Sequence, residues 1–96
     1  MPGILPGMCV EGPCMVDGNG VHPLPVDPLP TAITALINQQ GYVHRLVIEA
    51  FSENSRNKLL QAMLVDPTIA NYNNAVAVIN EIFELQKDVI APLAWK

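Results

Sequence analysis

A run of turn dipeptides and prolines between positions 9 and 30 constrains the fold of this chain more than any other feature. Asp17-Gly18 and Asn19-Gly20 are consecutive turn pairs, and hydrophobic, strand-compatible residues stand on both sides of them. Prolines then occupy positions 23, 25, 28 and 30. Proline has no N–H for a central strand and holds the residue before it extended. The pattern predicts a β-ribbon folded at the two dipeptides and an extended connector that ends at Pro30.

The residues after Pro30 carry hydrophobic side chains at helical spacing. Four helical runs are predicted, over residues 30–40, 42–51, 55–65 and 72–90. Gly41 either ends the first run or is absorbed into a longer helix. Ser52 or Asn54 is expected to cap the third run and Asn71 the fourth, because their side chains accept bonds from the first helical N–H groups.

The predicted fold class is therefore α+β, in a single small domain of residues 1–96. A short N-terminal β-ribbon and an extended proline-rich connector occupy residues 1–30. A bundle of three to four helices occupies residues 31–96.

The composition points to a partner protein. Half of the residues are hydrophobic and only 15% are charged, against about 25% in ordinary soluble domains. No run of about 18 apolar residues exists, so no membrane span is expected. The net charge of −4 and the absence of a basic cluster argue against nucleic acid. Without a signal peptide pattern, a cytoplasmic location with reduced thiols is expected.

The fourth helical run carries hydrophobic residues around a wide arc, which suggests contact on more than one side. We therefore expect the chain to form a homo-oligomer or to pack against a nucleotide-binding domain that precedes it. The residues expected at a contact between copies are Val78, Ile82, Phe83 and Leu85, with Trp95 at the margin.

Cys9, Cys14 and His22 form the only set of residues with metal-ligating chemistry in one segment. Their C-x4-C-x7-H spacing is wider than that of usual zinc sites, and a fourth ligand is lacking, so a metal site is not expected. A disulfide between the two cysteines is unlikely on a straight strand, although a bend at Gly12-Pro13 leaves it open. His22 is expected to be structural, bonding backbone groups that the prolines leave unpaired.

Glu49 lies within a hydrophobic helical stripe and has two interpretations. It is either a carboxylate aimed into a pocket or a surface residue paired with Arg45 one helical turn earlier, and the second is favoured. The chain has no Gly-rich phosphate loop and no recognisable catalytic motif. No catalytic, cofactor-binding or metal residue is therefore assigned.

Five short motifs occur in order along the chain: V-E-x-P at 10–13, D-x-x-G-V-x-P at 17–23, L-P at 29–30, L-V-I-E-A at 46–50 and Q-A-M-L-V-D-P at 61–67. Together they resemble the C-terminal part of glycoside hydrolase family 4, of the α-galactosidase, α-glucosidase and α-galacturonidase types. The resemblance extends from about Leu5 to Ile90.

Enzymes of that family use NAD and Mn²⁺, and oxidise the sugar transiently rather than using two carboxylates. The resemblance implies a structural and subunit-contact role for this chain in such an enzyme. The family's nucleotide-binding fold, metal-binding residues and catalytic base all precede the matched motifs, so this chain alone is predicted to be inactive. Two alternatives remain: a stand-alone helical oligomerisation or binding module, and a small enzyme or metal protein based on Cys9, Cys14 and His22.

Overall fold

The computed structural model describes residues 1–69 and 71–96. In order, its elements are β1 (Cys14–Asp17), β2 (Gly20–Pro23), α1 (Thr31–Ser52), α2 (Arg56–Val65) and α3 (Tyr72–Leu85). This order confirms the α+β class. Residue contacts divide the chain into two compact units, 1–41 and 42–96, and the single domain of the sequence analysis stays a prediction.

The first unit contains the β-ribbon. The strands β1 and β2 are antiparallel, with Asp17 opposite Gly20 and Cys14 opposite Pro23, which confirms the predicted fold-back. Of the two turn glycines, only Gly20 has a positive φ, of 121°, a conformation that side chains with a Cβ rarely adopt.

The N-terminal segment is bonded to the first turns of α1. The Asn38 side chain accepts from the Leu5 N–H at 3.1 Å and donates to the Gly3 carbonyl at 2.9 Å. The Met8 side chain lies on Gly41, where an added Cβ would come within 1.8 Å of the Met8 methyl carbon.

The first two helical runs of the sequence analysis form the single helix α1, which contains Gly41. Separate helices over 30–40 and 42–51 were therefore the wrong alternative. Glycine costs a helix about 1 kcal/mol relative to alanine, but at this position its bare backbone accommodates Met8.

The second unit contains the hydrophobic core. Ala50 of α1 and Leu60 of α2 pack with three residues of α3 and with Leu93 of the C-terminal tail. The α3 residues of this core are Ala75, Ile79 and Phe83. Their spacing of four residues places them on one face of the helix.

Side-chain caps set the starts of α2 and α3. The cap of α2 is Ser55, whose Oγ accepts from the Lys58 N–H at 3.2 Å, so the prediction of Ser52 or Asn54 was wrong. Asn54 instead takes a positive φ of 53° in the turn before that cap. Asn71 caps α3 as predicted, accepting from the Asn74 N–H at 2.9 Å.

The helix α3 ends at Leu85, five residues before the predicted end near Ile90. Gln86 leaves the helical conformation with φ −107° and ψ 17°. Its carbonyl then accepts from the N–H groups of Val89 and Ile90, which form a turn. The hydrophobic side chains of Val89 and Ile90 had extended the apparent helical period.

Candidate functional site

The three residues considered as metal ligands do not form a site. Cys9 and Cys14 are free, exposed thiols. His22 stands on β2, where its Nε2 lies 3.0 Å from Oδ1 of Asp17. Among the residues that the structure describes, no group of three His, Cys, Asp or Glu could hold a metal ion.

Asp17 organises the turn of the ribbon. Its Oδ1 accepts from the Asn19 N–H at 2.7 Å and contacts His22 on the same face of the ribbon. These bonds, that from Asn19 first, hold the pKa of Asp17 below its usual value. His22 therefore contacts a carboxylate, and the predicted bonding of its imidazole to backbone groups was wrong. No reacting group lies at this pair in the described residues.

An open cleft of about 540 Å³ lies beside the ribbon in the first unit. Its lining is mostly hydrophobic and contains no acidic or imidazole side chain. The residues that line it are Met1, Pro2, Val10, Gly12, Pro13, Cys14, Pro23, Leu24, Pro25 and Val26. Such a lining can bury another hydrophobic surface but offers no acid–base pair for glycoside hydrolysis.

Glu49 pairs with Lys58 of α2. The Lys58 Nζ lies 2.7 Å from Glu49 and 3.0 Å from Glu53, and these bonds, that to Glu49 first, raise the pKa of the Lys58 ammonium. The guanidinium of Arg45, the predicted partner, lies 5.7 Å from the centre of the Tyr42 ring. The favoured interpretation of Glu49 as a paired, partly exposed residue is thus right in kind, with a different partner.

The α3 helix has an exposed hydrophobic face beside its buried one. Val78, Ile82 and Leu85 are exposed and recur at helical spacing, and we call them the α3 stripe. Phe83, which the sequence analysis placed in the contact between copies, is only 7% exposed and belongs to the core. That assignment was wrong because the core occupies the side of α3 on which Phe83 lies.

The C-terminal tail is bonded to the turn between α1 and α2. The Asn54 side chain accepts from the Ala94 N–H at 3.0 Å, and the Arg56 N–H donates to the Ala94 carbonyl at 2.7 Å. The Ser55 hydroxyl donates to the Lys96 carbonyl. These bonds hold the tail in place while Leu93 completes the core.

Arg56 links that turn to α3. Its guanidinium carbon lies 4.5 Å from the centre of the Phe83 ring and 5.3 Å from that of Trp95. It also donates to the Asn80 side chain at 3.3 Å. The sequence analysis missed this cluster, because its partners are 24 to 40 residues apart and share no local pattern.

Comparison with known proteins identifies the family of the chain. Residues 1–69 match the family described as family 4 glycosyl hydrolase C-terminal domain. The chain is 36% identical over 83 residues to maltose-6'-phosphate glucosidase of Bacillus subtilis and 38% identical over 79 residues to maltose-6'-phosphate glucosidase MalH of Clostridium acetobutylicum. It is 34% identical over 83 residues to 6-phospho-alpha-glucosidase of Leptotrichia buccalis.

The matches cover most of this chain but little of each relative. They include 86%, 82% and 86% of the chain, and only 18%, 18% and 19% of the three relatives respectively. Within the described part of the chain, no helix combines the length and hydrophobicity needed to cross a membrane.

Proposed function

Because this chain belongs to glycosyl hydrolase family 4, we propose that it provides the C-terminal structural part of a glycosidase, with no complete active site of its own. The observation that carries the proposal is the family match over residues 1–69, together with the small share of each relative that the chain spans. In this role the chain packs against, and supports, the catalytic part of a larger enzyme that hydrolyses O-glycosidic bonds.

Three exposed surfaces of the chain suit such a packing role. They are the ribbon with both its strands, the cleft beside it, and the α3 stripe. Hydrophobic surface of this extent is ordinarily covered by another protein surface. We propose that a preceding nucleotide-binding domain or a second copy of the chain covers it.

The substrate class that we propose is a 6-phosphorylated α-glucoside. Three of the relatives carry maltose 6'-phosphate or 6-phospho-α-glucoside in their names. We propose a cytoplasmic location, where such sugar phosphates are retained by their charge.

The described residues do not fit the NAD and Mn²⁺ that the family resemblance implies. No cluster of three potential metal ligands occurs among them, and the sequence has no Gly-rich phosphate loop. We therefore assign both groups to the remainder of the enzyme and derive no catalytic step in this chain.

A chimeric enzyme tests the proposal. Residues of this chain would replace the matching C-terminal segment of the Bacillus subtilis relative. We expect the chimera to hydrolyse a nitrophenyl 6-phospho-α-glucoside with NAD⁺, Mn²⁺ and a reductant, whereas the same enzyme without the segment, and this chain alone, should not.

The chimera carrying Ile82→Glu is a matched variant, since this change places a charge on the α3 stripe and leaves the buried core residues in place. We expect it to lose activity or assembly relative to the unmodified chimera. A folded but inactive unmodified chimera would contradict the structural role, and turnover by the isolated chain would contradict the assignment of catalysis to the remainder.

A second candidate is a stand-alone oligomerisation module. The exposed α3 stripe favours it. This candidate requires assembly of the isolated chain and no contribution to a chimeric glycosidase, so the chimera also separates the two functions.

A further inference from the structure

The β-ribbon lacks the support that a ribbon of its size needs. All eight residues of β1 and β2 are exposed, and Val16 and Val21 have 72% and 64% of their surface accessible. An isolated pair of short strands is marginally stable in water and gains stability from a third strand or a packed face. The sheet in the described residues has only these two strands.

The hydrogen-bond pattern of the ribbon identifies which edge is open. The Leu24 N–H donates to the Pro13 carbonyl at 2.9 Å, so this pair is a hydrogen-bonded one. Bonded and non-bonded pairs alternate along antiparallel strands. In the observed register, Met15 therefore bonds to His22, whereas Cys14 and Val16 direct their N–H and carbonyl groups away from β2.

The opposite edge of the ribbon is less suited to pairing. By the same alternation, Val21 and Pro23 direct their backbone groups outward from β2. Pro23 has no N–H to donate, and Pro25 follows two residues later. Prolines at a strand edge prevent the addition of another strand.

We propose that the outer edge of β1 pairs with the same edge of a second copy of this chain. The two β1 strands would run antiparallel about a two-fold axis at Met15. Cys14 of each copy then exchanges both backbone bonds with Val16 of the other. The result is a closed, four-stranded sheet, because the proline-containing β2 edges lie at its two ends.

The side chains of the ribbon are consistent with this arrangement. Alternation places Cys14, Val16, Val21 and Pro23 on one face, and pairing two copies doubles that hydrophobic face. Asp17 and His22 share the other face, where their contact is already made within one copy. The edge is complementary to itself, and it therefore favours a second copy over an unrelated strand.

Cross-linking tests the position of the two-fold axis. Met15 would lie opposite its own copy as a non-hydrogen-bonded pair, with Cα atoms about 4.5 Å apart, which is within disulfide range. In a chain with C9S and C14S, we expect M15C to form a covalent dimer on mild oxidation. H22C is the matched control on the same face, because three strand spacings would separate the two copies by about 14 Å.

Removal of one edge N–H tests the pairing without a cross-link. V16P deletes an outward N–H of β1, and the control V21P deletes an outward N–H of β2, so neither removes a bond within the ribbon. By sedimentation equilibrium, we expect twice the 10.4 kDa chain mass for the unmodified protein and V21P. V16P should dissociate at least about tenfold more readily, since two bonds are lost in each dimer.

Three results would overturn the proposal. The first is a monomer mass for the unmodified chain at micromolar concentration. The second is a dimer that V16P leaves intact but I82E dissociates, which would place the contact on the α3 stripe. The third is equal cross-linking of M15C and H22C. None of these results depends on glycosidase activity, so this inference and the proposed function can fail separately.

Discussion

Truncation of Phe83 should destabilise the second unit far more than truncation of its neighbour Ile82. Phe83 is 7% exposed in the core, whereas Ile82 is 46% exposed on the α3 stripe. The Phe83 ring also lies 6.5 Å from the ring of Phe51 and 4.5 Å from the guanidinium carbon of Arg56. The Phe83→Ala change removes both contacts together with the buried ring.

The magnitude follows from these contacts. A buried Phe→Ala change costs about 3–5 kcal/mol, and the aromatic and cation–π contacts place this case in the upper part of that range. We expect a loss of about 4 kcal/mol for Phe83→Ala and about 1 kcal/mol or less for Ile82→Ala. A chain of this size has a free energy of unfolding of about 5–14 kcal/mol, so the first loss is a large part of the total.

Urea unfolding measures the difference, with far-UV circular dichroism and the fluorescence of Trp95, the only tryptophan, as probes. With an m value of about 1–2 kcal/mol/M, the midpoint of Phe83→Ala should fall by about 2–4 M. Phe83→Leu, which keeps most of the buried volume, should recover most of the loss. Equal midpoints for Phe83→Ala and Ile82→Ala would refute the assignment of Phe83 to the core.

Two further outcomes are expected. Ser55→Ala should lower the free energy of unfolding by about 2 kcal/mol, because it removes the cap of α2 and the bond to the tail, whereas Ser52→Ala should change it by less than about 0.5 kcal/mol; equal losses in urea unfolding would contradict this. The ribbon should lose stability in acid, because the pKa of Asp17 is lowered in the folded chain: its contribution is present above the usual value of 3.8 and is lost as the pH falls through the folded value. NMR signals of Val16 and Val21 between pH 6 and 2 measure this, and an unchanged acid limb in Asp17→Asn would oppose it.

Features with a local cause were predictable from the sequence. The turn dipeptides placed the fold-back of the ribbon, since few residues other than glycine tolerate the φ of Gly20. Asn71 and Pro67 marked the start of α3 and the end of α2, because capping and the proline ring act within one helical turn.

Features that depend on distant residues were not predictable. The continuity of α1 depends on Met8, which lies on Gly41 from 33 positions earlier in the chain. The burial of Phe83 rather than Ile82 depends on which side of α3 the core occupies, and helical periodicity cannot decide between adjacent residues. The pairing of Glu49 with Lys58 depends on the angle between two helices.

The candidate site shows the same division. The absence of a catalytic motif in the sequence led to the expectation that no catalytic residue lies in this chain, which stays a prediction. The tail contacts at Ser55 and Arg56 could not be found from the sequence, because residues 54–56 and 94–96 are brought together only by the fold.

A titration of NAD⁺ into the purified 96-residue chain, in the presence of Mn²⁺, tests the central claim most directly. The account assigns cofactor binding to the remainder of a family 4 glycosidase and structural packing to this chain. It therefore predicts no calorimetric binding signal at millimolar NAD⁺, while the Bacillus subtilis relative serves as the positive control. Saturable binding to this chain with a micromolar dissociation constant would contradict the account.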